Sequence, residues 1–115
     1  MKKFYYLETC NTCQRIMNEL ELGGDVELRE IKSRPLNEEE VDRLGAKAES
    51  FEAIFSKRAR KFRSMGLHEM DLTEKDYHKY LLEDYTFLKR PVLELDDRVI
   101  SGNSKKSVEA MQAAT

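Results

Sequence analysis

The stretch that decides the fold is KFYYLETCNTCQRIMNELELGGDVELREI, Lys3 to Ile31. Lys3 to Leu7 is short and rich in aromatic residues, which favours a β-strand, and Glu8 and Thr9 interrupt it. From Cys13 to Leu22 the apolar residues Cys13, Ile16, Met17 and Leu20 recur at three- and four-residue spacing, the pattern of one helix face. Gly23 and Gly24 are expected to end that helix. Val26, Leu28 and Ile31 form a second strand-like run, stopped by Ser33, Arg34 and Pro35. A helix between two strands makes a parallel crossover, so this part reads β-α-β. At its first strand-to-helix junction stands Cys10, Asn11, Thr12, Cys13.

Working outward, the middle of the chain is polar and helical in pattern. Asn37 followed three residues on by Glu40 forms a capping box, opening a helix with Val41 and Leu44 inward and Gly45 as its expected stop. A second helix is expected over Phe51 to Met65, ending near Gly66. Thr73 with Asp76 opens a third, with Tyr77, Tyr80 and Leu81 as its apolar stripe. Pro91, Val92, Leu93 and Leu95, a turn at Asp96 and Asp97, then Val99 and Ile100 read as a β-hairpin. A last helix follows from about Ser104 through Val108 and Met111. The sum is an α/β fold with a mixed sheet, flanking helices and a helical insertion at about 36–86, within one domain spanning 1–115.

Composition narrows the function. With 40% hydrophobic and 37% charged residues the chain suits a folded, heavily solvated protein rather than a disordered one. No apolar run approaches the ~20 residues of a membrane span, and the N-terminal residues lack a secretory apolar stretch, so the expected location is cytoplasmic. A net charge of −2 draws the chain to neither membrane nor nucleic acid, and no direct nucleic-acid binding is expected. Locally, Lys57 to Arg63 carries five positive charges and no negative one. As a solvated helix face, that segment is ordinary.

The two cysteines, Cys10 and Cys13, are the only ones in the chain, so a multi-bridge disulfide framework is excluded. A bridge between them would close too small a loop to restrain the unfolded chain, and its value would be redox. A thiolate is the attacking species, and a helix N-terminus lowers a thiol pKa below its free value of ~8.5. Cys10, on the threshold of the helix, is then the nucleophile; Cys13, one turn in and packed, can attack a mixed disulfide. Two other readings of the pair stand beside this one. A zinc half-site needs two more ligands, but His68 and His78 have no finger-like spacing, so no metal is expected. The second is a pair of small buried hydrophobes.

Tyr6 to Arg15 (YLETCNTCQR), the basic Ser56 to Leu67 segment ending Met-Gly-Leu, and Phe87 to Val92 (FLKRPV) occur in that order. Together they resemble the arsenate reductase family of thioredoxin-like proteins, glutaredoxin-like in their chemistry, which includes the Spx-type redox regulators. The resemblance implies a thioredoxin-like fold with a helical insertion. It also implies a thiol-dependent oxidoreductase in which Cys10 attacks an oxyanion or a disulfide, and Cys13 or external glutathione resolves the adduct. No bound cofactor is implied; glutathione, or a glutaredoxin or thioredoxin as redox protein partner, would be the reductant. Arg90 matches an anion-binding arginine, Arg58 matches the arginine of the insertion, and Pro91 matches the proline held cis beside the thiol. Planar, permanently charged guanidinium groups suit a tetrahedral anion. The alternative implied by the same resemblance is a regulator in which oxidation of the C-x-x-C pair to a disulfide switches binding to RNA polymerase or another protein.

Three positions depart from the family pattern. Gln14 stands where arginine is common, Asn103 occupies the position of a third anion-binding arginine with Lys105 and Lys106 nearby, and Glu8-Thr9 replaces a proline-containing loop. A carboxylate at Glu8 is expected to raise the Cys10 pKa and to repel an oxyanion.

Overall fold

The computed structural model describes all 115 residues. In chain order the elements are β1 (Lys3–Tyr6), α1 (Asn11–Leu20), β2 (Glu27–Glu30), α2 (Glu38–Ala48), α3 (Arg60–Ser64), α4 (Glu74–Glu83), β3 (Val92–Glu94), β4 (Val99–Ser101) and α5 (Lys105–Ala114). Single 3-10 turns lie at Glu52–Ile54, Leu67–Glu69 and Tyr85–Phe87. The chain divides into two compact units: Met1–Arg34 with Arg90–Thr115, and Pro35–Lys89. No helix is long and apolar enough to cross a membrane.

The first unit holds a four-stranded sheet in the order β2-β1-β3-β4. β1 runs parallel to β2, the geometry a helical crossover makes, whereas β3 and β4 are antiparallel neighbours joined by a two-residue turn at Asp96 and Asp97. β1 and β3 pair antiparallel, with Phe4 opposite Leu93. Because side chains alternate along a strand, Phe4 and Leu93 share one face and meet Ile16 and Leu20 of α1, Val26, and Met111 of α5 in a buried cluster. The periodicity expected for the first helix is thus the periodicity that buries Cys13, Ile16 and Leu20. The opposite parity puts Tyr5, Val92 and Glu94 on the other face, all fully buried. There the Tyr5 hydroxyl donates to Glu94 Oε1 at 2.6 Å, so a carboxylate that sequence alone would set at the surface is held in the interior by a polar partner.

The second unit is built on two capping boxes, Asn37 with Glu40 on α2 and Thr73 with Asp76 on α4, where the sequence predicts them. In the first unit Gly23 and Gly24 do not end α1, which closes earlier on Glu21 in the left-handed region at φ 48°, and in the second unit two expectations fail. Gly45 does not end α2, which continues to Ala48 and closes on Glu49 in the left-handed region at φ 68°. Gly45 is instead a contact: a Cβ there would lie 2.4 Å from Phe51 Cε1, so glycine is what lets the ring approach the helix. Nor is Phe51 to Met65 one helix. Phe55 is extended and bridges Leu88 antiparallel, with the Ser56 amide donating to the Phe87 carbonyl and the Lys89 amide to that of Ile54. This places the Phe55 ring 5.1 Å from Phe87, nearly parallel, and 4.9 Å from Tyr77. Helix propensity is a weak prior that tertiary context overrides, and here the packing of these aromatic rings decides. Helix resumes only at α3.

Candidate active site at the Cys10 and Cys13 motif

β1 ends at Tyr6, and the chain turns through Leu7 to Cys10, with the Cys10 amide donating to the Leu7 carbonyl at 3.0 Å. Cys10 is the N-cap residue of α1: its backbone is extended at φ −90°, ψ 110°, and its carbonyl accepts from the Gln14 amide at 3.1 Å. α1 therefore starts two residues before the predicted Cys13, and Cys10 stands where unpaired helix amides favour an anion. Both cysteines are free thiols, Cys10 half-exposed and Cys13 buried.

Their environments push them apart. Burial raises the Cys10 pKa, but this is outweighed by the Cys13 and Thr12 amides, a hydrogen bond from the Cys13 thiol and the positive charge of Arg90, and the net direction is downward. Cys13 moves the other way, to about 11: burial dominates, the Leu7 amide opposes it, and the neighbouring Cys10 sulfur adds to the rise through its hydrogen bond and charge. The thiolate is thus favoured at Cys10 and disfavoured at Cys13.

Arg90 is half-buried in the first unit, and its charge favours the thiolate of both cysteines. It precedes Pro91 through a cis peptide bond, and the Pro91 carbonyl accepts from the Gly102 amide at 2.8 Å. Arg58 belongs to the second unit, exposed in the turn ahead of α3 and not on a helix face. Within the basic segment, Lys57 pairs with Glu52 at 2.6 Å and Lys61 pairs with Asp84, so two of the five positive charges are already partnered. Asn103, Lys105 and Lys106 are exposed. Glu8 is exposed as well, and the expected rise in the Cys10 pKa is not seen; the helix amides, the Cys13 thiol and Arg90 prevail.

Sequence reasoning missed the use made of two side chains. Gln14, read as the loss of an arginine, donates from Nε2 to the Glu8 carbonyl at 3.1 Å. Glu30, at the end of β2, accepts from the Glu8 amide at 2.9 Å. No local pattern announces a contact between residues 22 apart in sequence. The only grouping of three carboxylate, imidazole or thiol ligands within reach of one ion is Glu38, Asp42 and His78 in the second unit, which includes neither cysteine.

The ArsC family model matches residues 5–111, a span that includes the motif, the second unit and the Arg90–Pro91 step. The chain is a member of the ArsC family. Its fold is that of solved ArsC-type structures. The YffB protein superposes with a TM-score of 0.78 at 21% identity, over 97% of this chain and 99% of that one. An arsenate reductase from Vibrio cholerae gives 0.78 at 15% identity over 96% of each chain. An arsenate reductase (ArsC) related protein from Brucella melitensis gives 0.71 at 24% identity, over 95% of this chain and 92% of that one. No curated protein sequence matches it at a significant level. For this ArsC-family chain the mixed sheet and flanking helices are thus the thioredoxin-like arrangement that the resemblance implied.

Proposed function

We propose that this protein is a thiol-dependent oxidoreductase in which Cys10 is the nucleophile, Cys13 or an external thiol resolves the adduct, and Arg90 supplies positive charge beside the reacting sulfur. The observation that carries the proposal is the placement of two free thiols one helical turn apart, Cys10 half-exposed at the N-cap of α1 and Cys13 buried, an arrangement that shifts Cys10 downward and Cys13 up to about 11.

With an oxyanion such as arsenate, Cys10 Sγ forms a bond to the pentavalent centre and a hydroxyl leaves as water. A second thiolate then attacks the Cys10 sulfur, the sulfur–arsenic bond breaks, and its electron pair stays on arsenic. Arsenic is reduced by two electrons, and the two thiols are oxidised to one disulfide. With a disulfide substrate, Cys10 displaces one thiolate and the second thiol displaces the other.

The Cys10–Cys13 hydrogen bond gives the order of events. While Cys10 is an anion, its charge holds the proton on Cys13; once Cys10 is covalently bound that influence disappears and Cys13 becomes easier to ionise. Resolution is therefore held back until there is something to resolve. A regulatory use of the same pair, with RNA polymerase or another protein as partner, draws on the basic segment, where Lys57 and Lys61 are already paired, and is the less supported reading.

The test is turnover of arsenate and of glutathione mixed disulfides by purified protein, with glutathione alone and with added glutaredoxin. Cys10→Ser is expected to abolish both, whereas Cys13→Ser retains turnover only when an external thiol is supplied. Absence of any thiol-dependent turnover, together with a Cys10 pKa at or above that of a free thiol, overturns the proposal.

A further inference from the structure

Glu8 lies in the loop that delivers Cys10, and its backbone amide and carbonyl, which belong to successive peptide groups, are both held by side chains from other elements. On one side, its amide donates to Glu30 Oε2 at 2.9 Å. The other oxygen of the same carboxylate accepts from the Lys32 amide at 2.9 Å, the Ser33 amide at 2.7 Å and the Ser33 hydroxyl at 2.9 Å. Glu30 thus ties the turn after β2 to the loop after β1, just beyond the point where the Ile31 amide donates to the Tyr6 carbonyl. On the other side, the Glu8 carbonyl accepts from Gln14 Nε2 at 3.1 Å, and Gln14 sits one turn into the helix that Cys10 caps. The Gln14 amide in turn donates to the Cys10 carbonyl.

We infer that Glu30 and Gln14 are positioning residues for Cys10, acting as a clamp on the backbone either side of the Glu8 Cα that holds the sulfur over the first amides of α1. The inference deepens the proposed thiol chemistry and rests on it. Its physical basis is geometric. A hydrogen bond from a backbone amide to a sulfur anion weakens steeply with misalignment, and Cys10 follows Glu8 by two residues in a loop with only one backbone hydrogen bond of its own, from Cys10 to Leu7. The departure at residue 14 then has a purpose: a neutral donor of that length reaches a backbone carbonyl and leaves the anion-holding charge to Arg90.

The sign of the effect separates a clamp from simple charge. If Glu30 acted on Cys10 only as a negative charge, Glu30→Gln would remove it and favour the thiolate. If it acts by positioning, Glu30→Gln leaves one acceptor where two are used, loosens the loop and disfavours the thiolate. Gln14→Ala is neutral in charge and should act in the same direction as a loosened clamp. The experiment follows iodoacetamide alkylation of Cys10 against pH by mass spectrometry in full-length wild type, Glu30→Gln and Gln14→Ala, with hydrogen exchange of the Glu8 amide as an independent measure of the clamp.

The expected result is a Cys10 titration displaced upward in both variants, with alkylation near pH 7 slowed about two- to fivefold, the range a helix-terminus interaction commands. Faster Glu8 amide exchange in Glu30→Gln is expected alongside. Wild-type rates in both variants, or a downward displacement in Glu30→Gln, overturn the clamp even if the thiol chemistry stands. A wild-type Cys10 with an ordinary pKa that still rises in the variants overturns the thiol chemistry and leaves the clamp in place. Both side chains lie at least partly in solvent, and if one variant fails to fold the other decides.

Discussion

Removing Cys10 as an ionisable neighbour should make Cys13 more acidic, and the size of the change is bounded by the structure. In the intact pair Cys13 is raised from an ordinary 9.0 to about 11, by burial first and then by the hydrogen bond and charge of Cys10. Cys10→Ala removes the last two influences and keeps the burial, so the Cys13 titration should fall between those two values. Each pH unit is a factor of ten in thiolate, so at pH 8 its thiolate fraction rises from roughly one in a thousand toward, at most, about one in ten. The assay is stopped-time alkylation of Cys13 from pH 7 to 11 in Cys10→Ala, in wild type and in wild type whose Cys10 carries a glutathione disulfide. Both altered proteins should alkylate Cys13 faster than wild type at pH 8, while wild type modifies Cys10 first. A Cys13 titration that stays at about 11 or moves higher in Cys10→Ala would refute the reasoning, since burial alone would then account for it.

Two further outcomes concern stability. Tyr5→Phe deletes the hydroxyl that donates to the fully buried Glu94 and should destabilise the chain by ~1–3 kcal/mol, lowering Tm by on the order of 5–10 °C in a thermal melt; an unchanged Tm would show that the carboxylate does not depend on that donor. For Asp84, burial raises the carboxyl pKa, but Lys61 and the Thr86 hydroxyl and amide outweigh it and the net direction is downward. A depressed carboxylate contributes stability that is present above its unfolded value of ~3.9 and is lost as pH falls through the lower folded value, so wild type and Asp84→Asn should differ in Tm at pH 7 and converge at strongly acid pH. Parallel Tm curves down to pH 2 would contradict this.

Much of the frame was legible because it depends on neighbours in sequence. The capping boxes at Asn37 and Thr73 need only a side chain and an amide three residues apart, and the Asp96–Asp97 turn needs only its own composition between two apolar runs. Gly45 and the Phe51 to Met65 segment were misread for the opposite reason. Glycine looks the same whether it ends a helix or admits a distant ring, and Phe55 abandons helix for a bridge to Leu88, 33 residues away.

The same division runs through the motif. The sequence by itself determined that two thiols flank a strand-to-helix junction and that an Arg-Pro step follows later in the chain, because those facts are residue types at fixed spacing. Only the tertiary structure decided that Cys13 is raised while Cys10 stays lowered despite Glu8, that the Arg90 charge favours both thiolates, and that Glu8 is held between Glu30 and Gln14. Burial, charge proximity and hydrogen-bond direction are properties of separation in space, and a chain acquires them only when β1, β2 and α1 come together.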